Sequence, residues 1–206
     1  MTVQQIIVLT AAFWVTGSLS FLGIRSMRRQ KSDVSTPEGR IWDGIAYAFT
    51  YSMLPGHKET VNRHLVKFIL GVFLHIGVFW TIAKTAVYIV NPAYARWFPV
   101  ISGCVVFPGI LSASVLLVMR IITRAMRAIS CLDDYAASIV TIIFIAAGFL
   151  YDLHVVNNTV FAGIVSGLAV YMPLGKLKHA VLFFLARADF GGRLGYRGTY
   201  RFPQIH

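Results

Sequence analysis

Long apolar stretches alternate with short polar ones along most of this chain. Five of them are long enough to cross about 30 Å of bilayer hydrocarbon as helices. They cover residues 5–24, 66–90, 98–119, 135–153 and 159–185. A mean hydropathy of +0.68 and a charged fraction of 13% are far from the values of a soluble domain. We therefore predict an all-α integral membrane protein with five transmembrane helices, forming one membrane domain over residues 1–206.

Two segments outside these stretches have a different pattern. In residues 32–63, apolar positions recur at i, i+3 and i+4 spacing after Pro37, which predicts a short amphipathic helix along the cytoplasmic interface. Its apolar positions are Ile41, Trp42, Ile45, Ala46 and Phe49. Pro55 and Gly56 are expected to turn the chain into the second membrane helix. Residues 186–206 are predicted to form a cytoplasmic tail.

The basic residues give the predicted orientation. All Lys and Arg except Lys84 and Arg96, 17 of the 19, fall on one side if the 25–65 segment, the 120–134 loop, the C-terminal tail and the ends of the apolar runs next to them share that side. The positive-inside rule then predicts an outer N-terminus and a cytoplasmic C-terminus in the cell inner membrane. This bias explains most of the net charge of +11 without nucleic acid, and it offers a cationic surface for an acidic partner subunit. We expect the first helix to be retained rather than cleaved as a signal.

Cysteines and carboxylates give weaker indications. Cys104 and Cys131 lie near opposite ends of the third helix, about 40 Å apart by helical rise, so they cannot form a disulfide with each other. Asp133 and Asp134 are predicted to cap the fourth helix, because carboxylates are favoured at a helix N-terminus. Pro108 is a candidate kink in the third helix, and Pro173 and Gly175 are expected to loosen the last helix just before His179.

His64 and His75 are the most informative polar residues of the second stretch. Eleven residues at about 100° each bring them to one helix face, about 16 Å apart along the axis. A histidine inside a membrane helix is costly unless it is paired, so His75 is a candidate functional residue. The alternative for His75 is a hydrogen bond across helices, and the alternative for His64 is a solvated position at the interface.

The remaining histidines differ in how well they could pair with His64 and His75 as ligands. His179 matches His64 in predicted depth, and these two are the simplest pair of axial ligands for a heme b iron. His75 has no histidine at matching depth, which leaves His154 near the outer loop as its candidate partner and makes a second heme plausible. His57 and His206 are expected in solvent. No phosphate-binding loop, zinc-protease motif or activated nucleophile is recognisable.

Three segments carry a resemblance to a known family. They are NRHLVKFILGVFLHIGVF, MRAISCLDDYAASIVTIIF and MPLGKLKHAVLFFLARADFGGRLGYRG, in that order from residue 62 to residue 198. Together they resemble the cytochrome b membrane subunits related to the gamma subunit of respiratory nitrate reductase. Within that family, the chain is most similar to subunits paired with heterodisulfide-reductase-like iron–sulfur proteins.

The resemblance implies a five-helix bundle with two b hemes between the second and last membrane helices. His64 and His179 would hold the inner heme and His75 the outer one. The nitrate reductase branch has a further histidine near the position of Phe161, which this chain lacks. That departure transfers the second outer ligand to His154 or, as a lesser candidate, to Met172.

The implied function is electron transfer between the membrane quinone pool, such as menaquinone, and a cytoplasmic iron–sulfur subunit. The chain would be the heme-carrying membrane subunit of a respiratory oxidoreductase complex. Lys84, Tyr88 and Asp152, with Tyr151, collect at the predicted outer end and are the candidate quinone-binding residues. Lys84 would project on the helix face opposite His75, about 13 Å further out along the axis. The alternative role for Lys84 is a lysine whose side chain extends to the lipid interface.

A competing function belongs to another class. The chain could be a heme-free membrane scaffold or a transporter subunit whose histidines relay protons. A transporter is expected to have polar residues at matched midplane positions, whereas His75 stands almost alone there. A heme absorption band in purified membranes separates the two interpretations.

Overall fold

A computed structural model describes residues 1–28, 40–54, 61, 63–96 and 99–194 of the chain. Within these ranges the protein consists of eight α-helices and three short 3-10 turns, with no strand. The helices are α1 (Val3–Arg28), α2 (Ile41–Phe49), α3 (Leu65–Val90), α4 (Pro99–Ile122), α5 (Arg124–Ile129), α6 (Leu132–Asp152), α7 (Asn158–Leu174) and α8 (His179–Leu194). The 3-10 turns are Tyr51–Met53, Tyr94–Arg96 and Lys176–Lys178.

Four of these helices are long and apolar enough to cross a membrane. They are α1, α3, α4 and α6, and α7 with the helical residues after it would make a fifth span if the broken pair is counted as one. The prediction of an all-helical, multi-pass protein is therefore confirmed at this level. The boundaries of the first four spans differ from the predicted ones by only a few residues.

The prediction of one continuous helix over 159–185 is wrong. α7 ends at Leu174, a 3-10 turn follows at Lys176–Lys178, and α8 begins at His179. Pro173 lies in the last turn of α7, and Gly175 lies directly under the ring of Tyr171. A Cβ on Gly175 would be 2.4 Å from Cζ of Tyr171, so any larger residue at the break would have to displace that ring.

Local signals at other helix ends behave as expected. The carboxylate of Asp134 accepts a hydrogen bond of 2.9 Å from the backbone N–H of Cys131, which confirms the predicted cap of α6 for Asp134. The carboxylate of Asp133 instead accepts from the hydroxyl of Tyr171. α4 continues through Pro108. The short helix α5 in the 120–134 loop was not predicted.

The chain divides into two compact units. The first contains Met1–Ser18 and Val66–Lys178, and the second contains the described residues from Leu19 to Leu65 and from His179 onward. α3, α4, α6 and α7 therefore supply most of the first unit. α2 and α8 supply most of the second.

The first unit is held by an apolar core with one very close helix crossing. The largest fully buried apolar side chains in it include Val8, Tyr88, Val106, Ile145, Tyr151 and Phe161. At the crossing, a Cβ added to Gly109 of α4 would be 3.0 Å from Cα of Gly77 in α3 and 3.1 Å from the carbonyl oxygen of Phe73. Two glycines thus allow these backbones to approach more closely than alanine would permit.

Hydrogen bonds between distant residues identify the elements that share one end of the first unit. The side-chain amide of the buried Gln5 donates to the carbonyl oxygen of Ile89 at 2.9 Å, and that of Gln4 donates to Thr159 at 3.2 Å. The N-terminal end of α1 therefore lies beside the C-terminal end of α3 and the N-terminal end of α7. This arrangement agrees with the prediction that these three helix ends lie on the same side of the membrane.

In the second unit, α2 packs closely against α8. A Cβ on Gly191 would be 2.5 Å from the carbonyl oxygen of Gly44, and the rings of Phe49 and Phe184 stack with centroids 6.2 Å apart. The predicted helix after Pro37 is thus present as α2. It buries Gly44, Tyr47 and Ala48, however, and leaves Trp42 78% exposed. The Ser35–Pro37 start and the Pro55–Gly56 turn lie outside the described residues.

Candidate functional site

A buried ion pair joins α3 to α6 in the first unit. Nζ of Lys84 donates to Oδ1 of Asp152 and, at 3.1 Å, to the carbonyl oxygen of Ala95. The two side chains are only 6% and 0% exposed. Both residues were predicted as quinone-binding residues from the sequence, and the structure brings them into direct contact. Oδ2 of Asp152 is buried and has no hydrogen-bond partner.

Three aromatic rings lie beside this ion pair. Tyr88, Tyr151 and Phe161 are fully buried and in mutual contact, with centroids 4.5 to 5.6 Å apart. The hydroxyl of Tyr151 donates to Oδ1 of Asn158 at 2.8 Å, and that of Tyr88 lies 3.2 Å from the carbonyl oxygen of the same residue. Phe161 is fully buried and packs against both tyrosines.

Arg96 is the main residue of this site that sequence reasoning did not assign. Its guanidinium lies 4.0 Å from the ring centre of Tyr151 and donates to Asn158 at 3.3 Å and to the carbonyl oxygen of Val156 at 3.4 Å. Its Nε is buried without a hydrogen-bond partner. One signal was present in the sequence, because Arg96 and Lys84 are the two cations on the predicted outer side. We call these six residues the Lys84–Asp152 cluster: Lys84, Tyr88, Arg96, Tyr151, Asp152 and Asn158.

His75 lies on the opposite face of α3 from this cluster. The buried residues of α3 recur as one helical stripe: Gly77, Thr81, Lys84 and Tyr88. His75 is nine residues before Lys84, which is half a turn out of phase at about 100° per residue, and it is exposed. The prediction that Lys84 and His75 project on opposite faces is therefore confirmed.

The ring of His75 has a defined hydrogen-bonding state. Nδ1 is 2.6 Å from the carbonyl oxygen of Gly71, one turn earlier in α3. Because a carbonyl can only accept, Nδ1 carries the hydrogen and Nε2 retains its lone pair in the neutral ring. Gly71 lies on the same face, and no atom comes within 4 Å of the place where its Cβ would be. This face thus presents one basic nitrogen next to open space.

His64 and His179 both belong to the second unit and are both exposed. His64 is in a turn, with its backbone N–H bonded to the carbonyl oxygen of Val61 at 3.0 Å, one residue before α3 begins. The prediction that His64 and His75 share one helix face assumed that both lie in the helix, whereas His64 lies just before it. His179 is the first residue of α8.

His154 makes a contact that differs from the predicted one. It follows α6 in the left-handed region, with φ of 59°, and its Nδ1 is 2.9 Å from a terminal nitrogen of Arg96. Arginine only donates, so Nδ1 accepts and the hydrogen of a neutral ring is on Nε2. In this state His154 has no free lone pair for an iron. The structure therefore associates His154 with the Lys84–Asp152 cluster and gives no support to its role as a heme ligand.

Other metal chemistry has no visible basis in the part of the chain that the structure describes. No group of three or more His, Cys, Asp or Glu side chains is arranged to hold a metal ion there. Cys104 and Cys131 are both free, in agreement with the prediction that they do not form a disulfide with each other. Comparison with protein-family models, with curated protein sequences and with solved structures finds no match for this chain.

The arrangement therefore has two chemically different parts. The Lys84–Asp152 cluster combines buried charges with two unpaired polar atoms, a donor and an acceptor, which suits a polar ligand or a proton. The exposed face of α3 presents His75 with the ring tautomer that a metal ligand needs, and its second nitrogen is oriented by a carbonyl as in known metal sites.

Proposed function

We propose that this protein is the heme b subunit that anchors a quinone-linked oxidoreductase in the membrane. It would carry electrons between the quinone pool and a cytoplasmic iron–sulfur subunit of the heterodisulfide-reductase-like kind. The helices that can cross a membrane support this role, as does the resemblance of three ordered segments to cytochrome b subunits. The chain is an electron conduit with a quinone site rather than a self-sufficient enzyme.

One observation carries the proposal: the hydrogen bond of 2.6 Å between Nδ1 of His75 and the carbonyl of Gly71. A lipid-facing histidine in a membrane helix is costly, so a group outside the described protein surface is needed to cover Nε2. The iron of a heme would be such a group, because neutral imidazole is an ordinary ligand of heme iron. The open space at Gly71 is compatible with a bulky group next to His75.

His64 and His179 are proposed as ligands of a second heme, in keeping with the family resemblance. Each is exposed, and both belong to the second unit. When bound, heme b accepts and releases single electrons. The chain's own contribution is to hold the imidazoles, to orient their hydrogens and to exclude water. His154 is hydrogen-bonded through Nδ1 to Arg96, so a second ligand beside His75 would have to come from another residue.

The quinone site is proposed at the Lys84–Asp152 cluster. Oδ2 of Asp152 can accept a hydrogen bond and a proton from a quinol hydroxyl, while Lys84 stays bonded to Oδ1 and limits the charge change. Nε of Arg96 can donate to a quinone carbonyl oxygen. Tyr88 and Tyr151 provide aromatic walls. A head group would have to displace some of the present packing, since these rings are fully buried.

The docking side for the iron–sulfur subunit is proposed to be the cytoplasmic one. Under the predicted orientation this side carries 17 of the 19 basic residues, including Arg120, Arg124 and Arg127 near α5. Such a surface attracts an acidic partner and speeds their association at low ionic strength. Lipid head groups are the competing ligands for these charges.

A second candidate function is favoured by one specific feature. The buried carboxylate of Asp152 has an unpaired oxygen next to an ammonium, which is also what a heme-free proton relay requires. This candidate explains the Lys84–Asp152 cluster but not the exposed His75. The two functions differ in one measurable property, since a proton relay is colourless.

The decisive experiment is a pyridine hemochrome assay on the purified complex, with subtraction of heme carried by partner subunits. We expect two hemes b per chain, falling by about one in His75→Ala and by about one in His179→Ala. His154→Ala is the matched control and is expected to keep full heme content. A wild-type protein without heme would reject the proposal in favour of the proton relay. Full heme retention in both the His75 and His179 variants would reject the ligand assignment.

A further inference from the structure

Arg187 of α8 is a half-buried cation with unusual neighbours. One of its terminal nitrogens contacts the sulfur of Met53, and its guanidinium carbon is 5.6 Å from the ring centre of Phe183. Nε is buried and has no hydrogen-bond partner. A thioether is a weak acceptor, and an aromatic face offers only a partial negative charge. The positive charge of Arg187 is therefore poorly compensated by the described protein.

The carboxylates of the same unit are already engaged elsewhere. In its described part these are Asp43 and Asp189, and they pair with Arg40 and Arg193 at 2.8 and 2.9 Å. Leaving this guanidinium without an anion is costly, because the desolvated Nε–H has no acceptor. An external oxyanion is the simplest group that meets this need, since two oxygens on one centre match the planar fork of arginine.

The surroundings of Arg187 restrict which anion fits. Phe183, the ring beside its guanidinium, is 40% exposed, and the next residues in sequence after its two contacts, Phe184 and Leu54, are 55% and 50% exposed. A site for a freely soluble anion is expected to have polar surroundings that can also hold water. An apolar surface next to one buried cation instead suits an amphiphile with an oxyanion head and a hydrocarbon body.

We propose that Arg187 binds the phosphate of an anionic phospholipid, whose apolar part covers Phe183, Phe184 and Leu54. The inference does not depend on heme or quinone, because it uses only contacts within the second unit. Two other sources could supply the same oxyanion chemistry, namely a heme carboxylate and inorganic phosphate. The experiment is designed to separate all three.

Binding of phosphatidylglycerol and phosphatidylcholine to the purified full-length chain in detergent is measured by native mass spectrometry. We expect a clear preference for phosphatidylglycerol that weakens by about tenfold or more in Arg187→Gln, as for the loss of one charge-assisted hydrogen bond. Arg187→Lys keeps the charge but loses the fork, so an intermediate affinity is expected. The control is Arg193→Gln, which makes the same charge change on the same helix at an arginine already paired with Asp189.

Three results would overturn the proposal. The first is equal phosphatidylglycerol affinity in wild type and Arg187→Gln, or an equal loss in Arg193→Gln. The second is displacement of phosphatidylglycerol by an equal concentration of inorganic phosphate, which would assign the site to the free ion. The third is binding that appears only in heme-free protein, together with heme loss in Arg187→Gln, which would assign Arg187 to a heme carboxylate. Circular dichroism of each variant establishes that it is folded.

Discussion

Lys84 and Asp152 are 68 residues apart in sequence and form an ion pair with both side chains almost fully buried. The pair links α3 to α6, and the carbonyl of Ala95 binds the same ammonium. A buried ion pair is weak support for stability, because desolvation cancels much of the attraction. A single charge left behind in the same place is strongly unfavourable. Replacing either residue alone by an uncharged one is therefore expected to be costly.

The first prediction concerns the coupling between these two residues. Lys84→Met and Asp152→Leu are each expected to lower the free energy of unfolding by about 3–5 kcal/mol, whereas the double variant should recover most of that loss. Unfolding in detergent micelles, analysed as a double-mutant cycle, measures the coupling. The exposed Arg40–Asp43 pair in α2 is the control, with an expected coupling of about 0–1 kcal/mol. Additive effects at Lys84 and Asp152 would contradict the contact.

The second prediction tests the open face of α3. Gly71→Leu should leave the fold intact, because no atom lies within 4 Å of the Cβ position and leucine favours a helix. The same leucine would occupy the space next to Nε2 of His75, so we expect the loss of about one heme per chain in a hemochrome assay. Gly17→Leu in α1 also enters open space and should retain all heme. Equal heme content in the two variants would separate His75 from heme binding.

The third prediction concerns the crossing of α3 and α4. Gly109→Ala puts a methyl group 3.0 Å from Cα of Gly77, and a backbone cannot give way as a flexible side chain can. We expect a loss of about 1–3 kcal/mol in unfolding free energy. Gly163→Ala in α7 meets no atom and should instead be neutral or stabilising by up to about 1 kcal/mol. A neutral result for Gly109→Ala would mean that the helices are further apart.

The fourth prediction addresses the proposed quinone site. Asp152→Asn keeps the shape of the side chain but removes its ability to take up a proton, so the rate of quinol-driven heme reduction should fall by about 10²-fold or more. Stopped-flow absorbance measures this rate. Reduction by dithionite, which bypasses the site, should be unchanged. Asp43→Asn in α2 is the matched control, and a similar slowing there would show that the effect is not specific to Asp152.

The sequence predicted those parts of the fold that depend on periodicity and composition. The spans of α1, α3, α4 and α6 follow from runs of apolar residues, and the α6 cap follows from the acidic start of that helix, where Asp134 makes the capping bond. The break after Leu174 was only partly predictable from the sequence. Pro173 and Gly175 signalled a weak point, but the end of the helix also depends on the ring of Tyr171 occupying the space above Gly175.

Most residues of the candidate site could be predicted from the sequence, but the contacts between them could not. Charged residues in apolar helices are rare enough to mark Lys84 and Asp152 without a structure. Arg96 was counted only as a charge outside the spans, because nothing in a sequence shows that a short 3-10 turn brings it onto Tyr151. His154 was assigned by elimination among histidines, and its contact with Arg96 depends on a left-handed backbone that sequence patterns do not reveal.

The hydrogen bond from Gln5 to Ile89 has a consequence for the order of assembly during synthesis. The amide of Gln5 leaves the ribosome 84 residues before its acceptor does, and Thr159, which binds Gln4, follows its partner by 155 residues. Until Ile89 has been made, the glutamines of α1 have only local partners, and the hydrogen bond from Gln4 forms only after α7 has begun. A nascent chain truncated before α7 should therefore lack the second of these two attachments of the first helix.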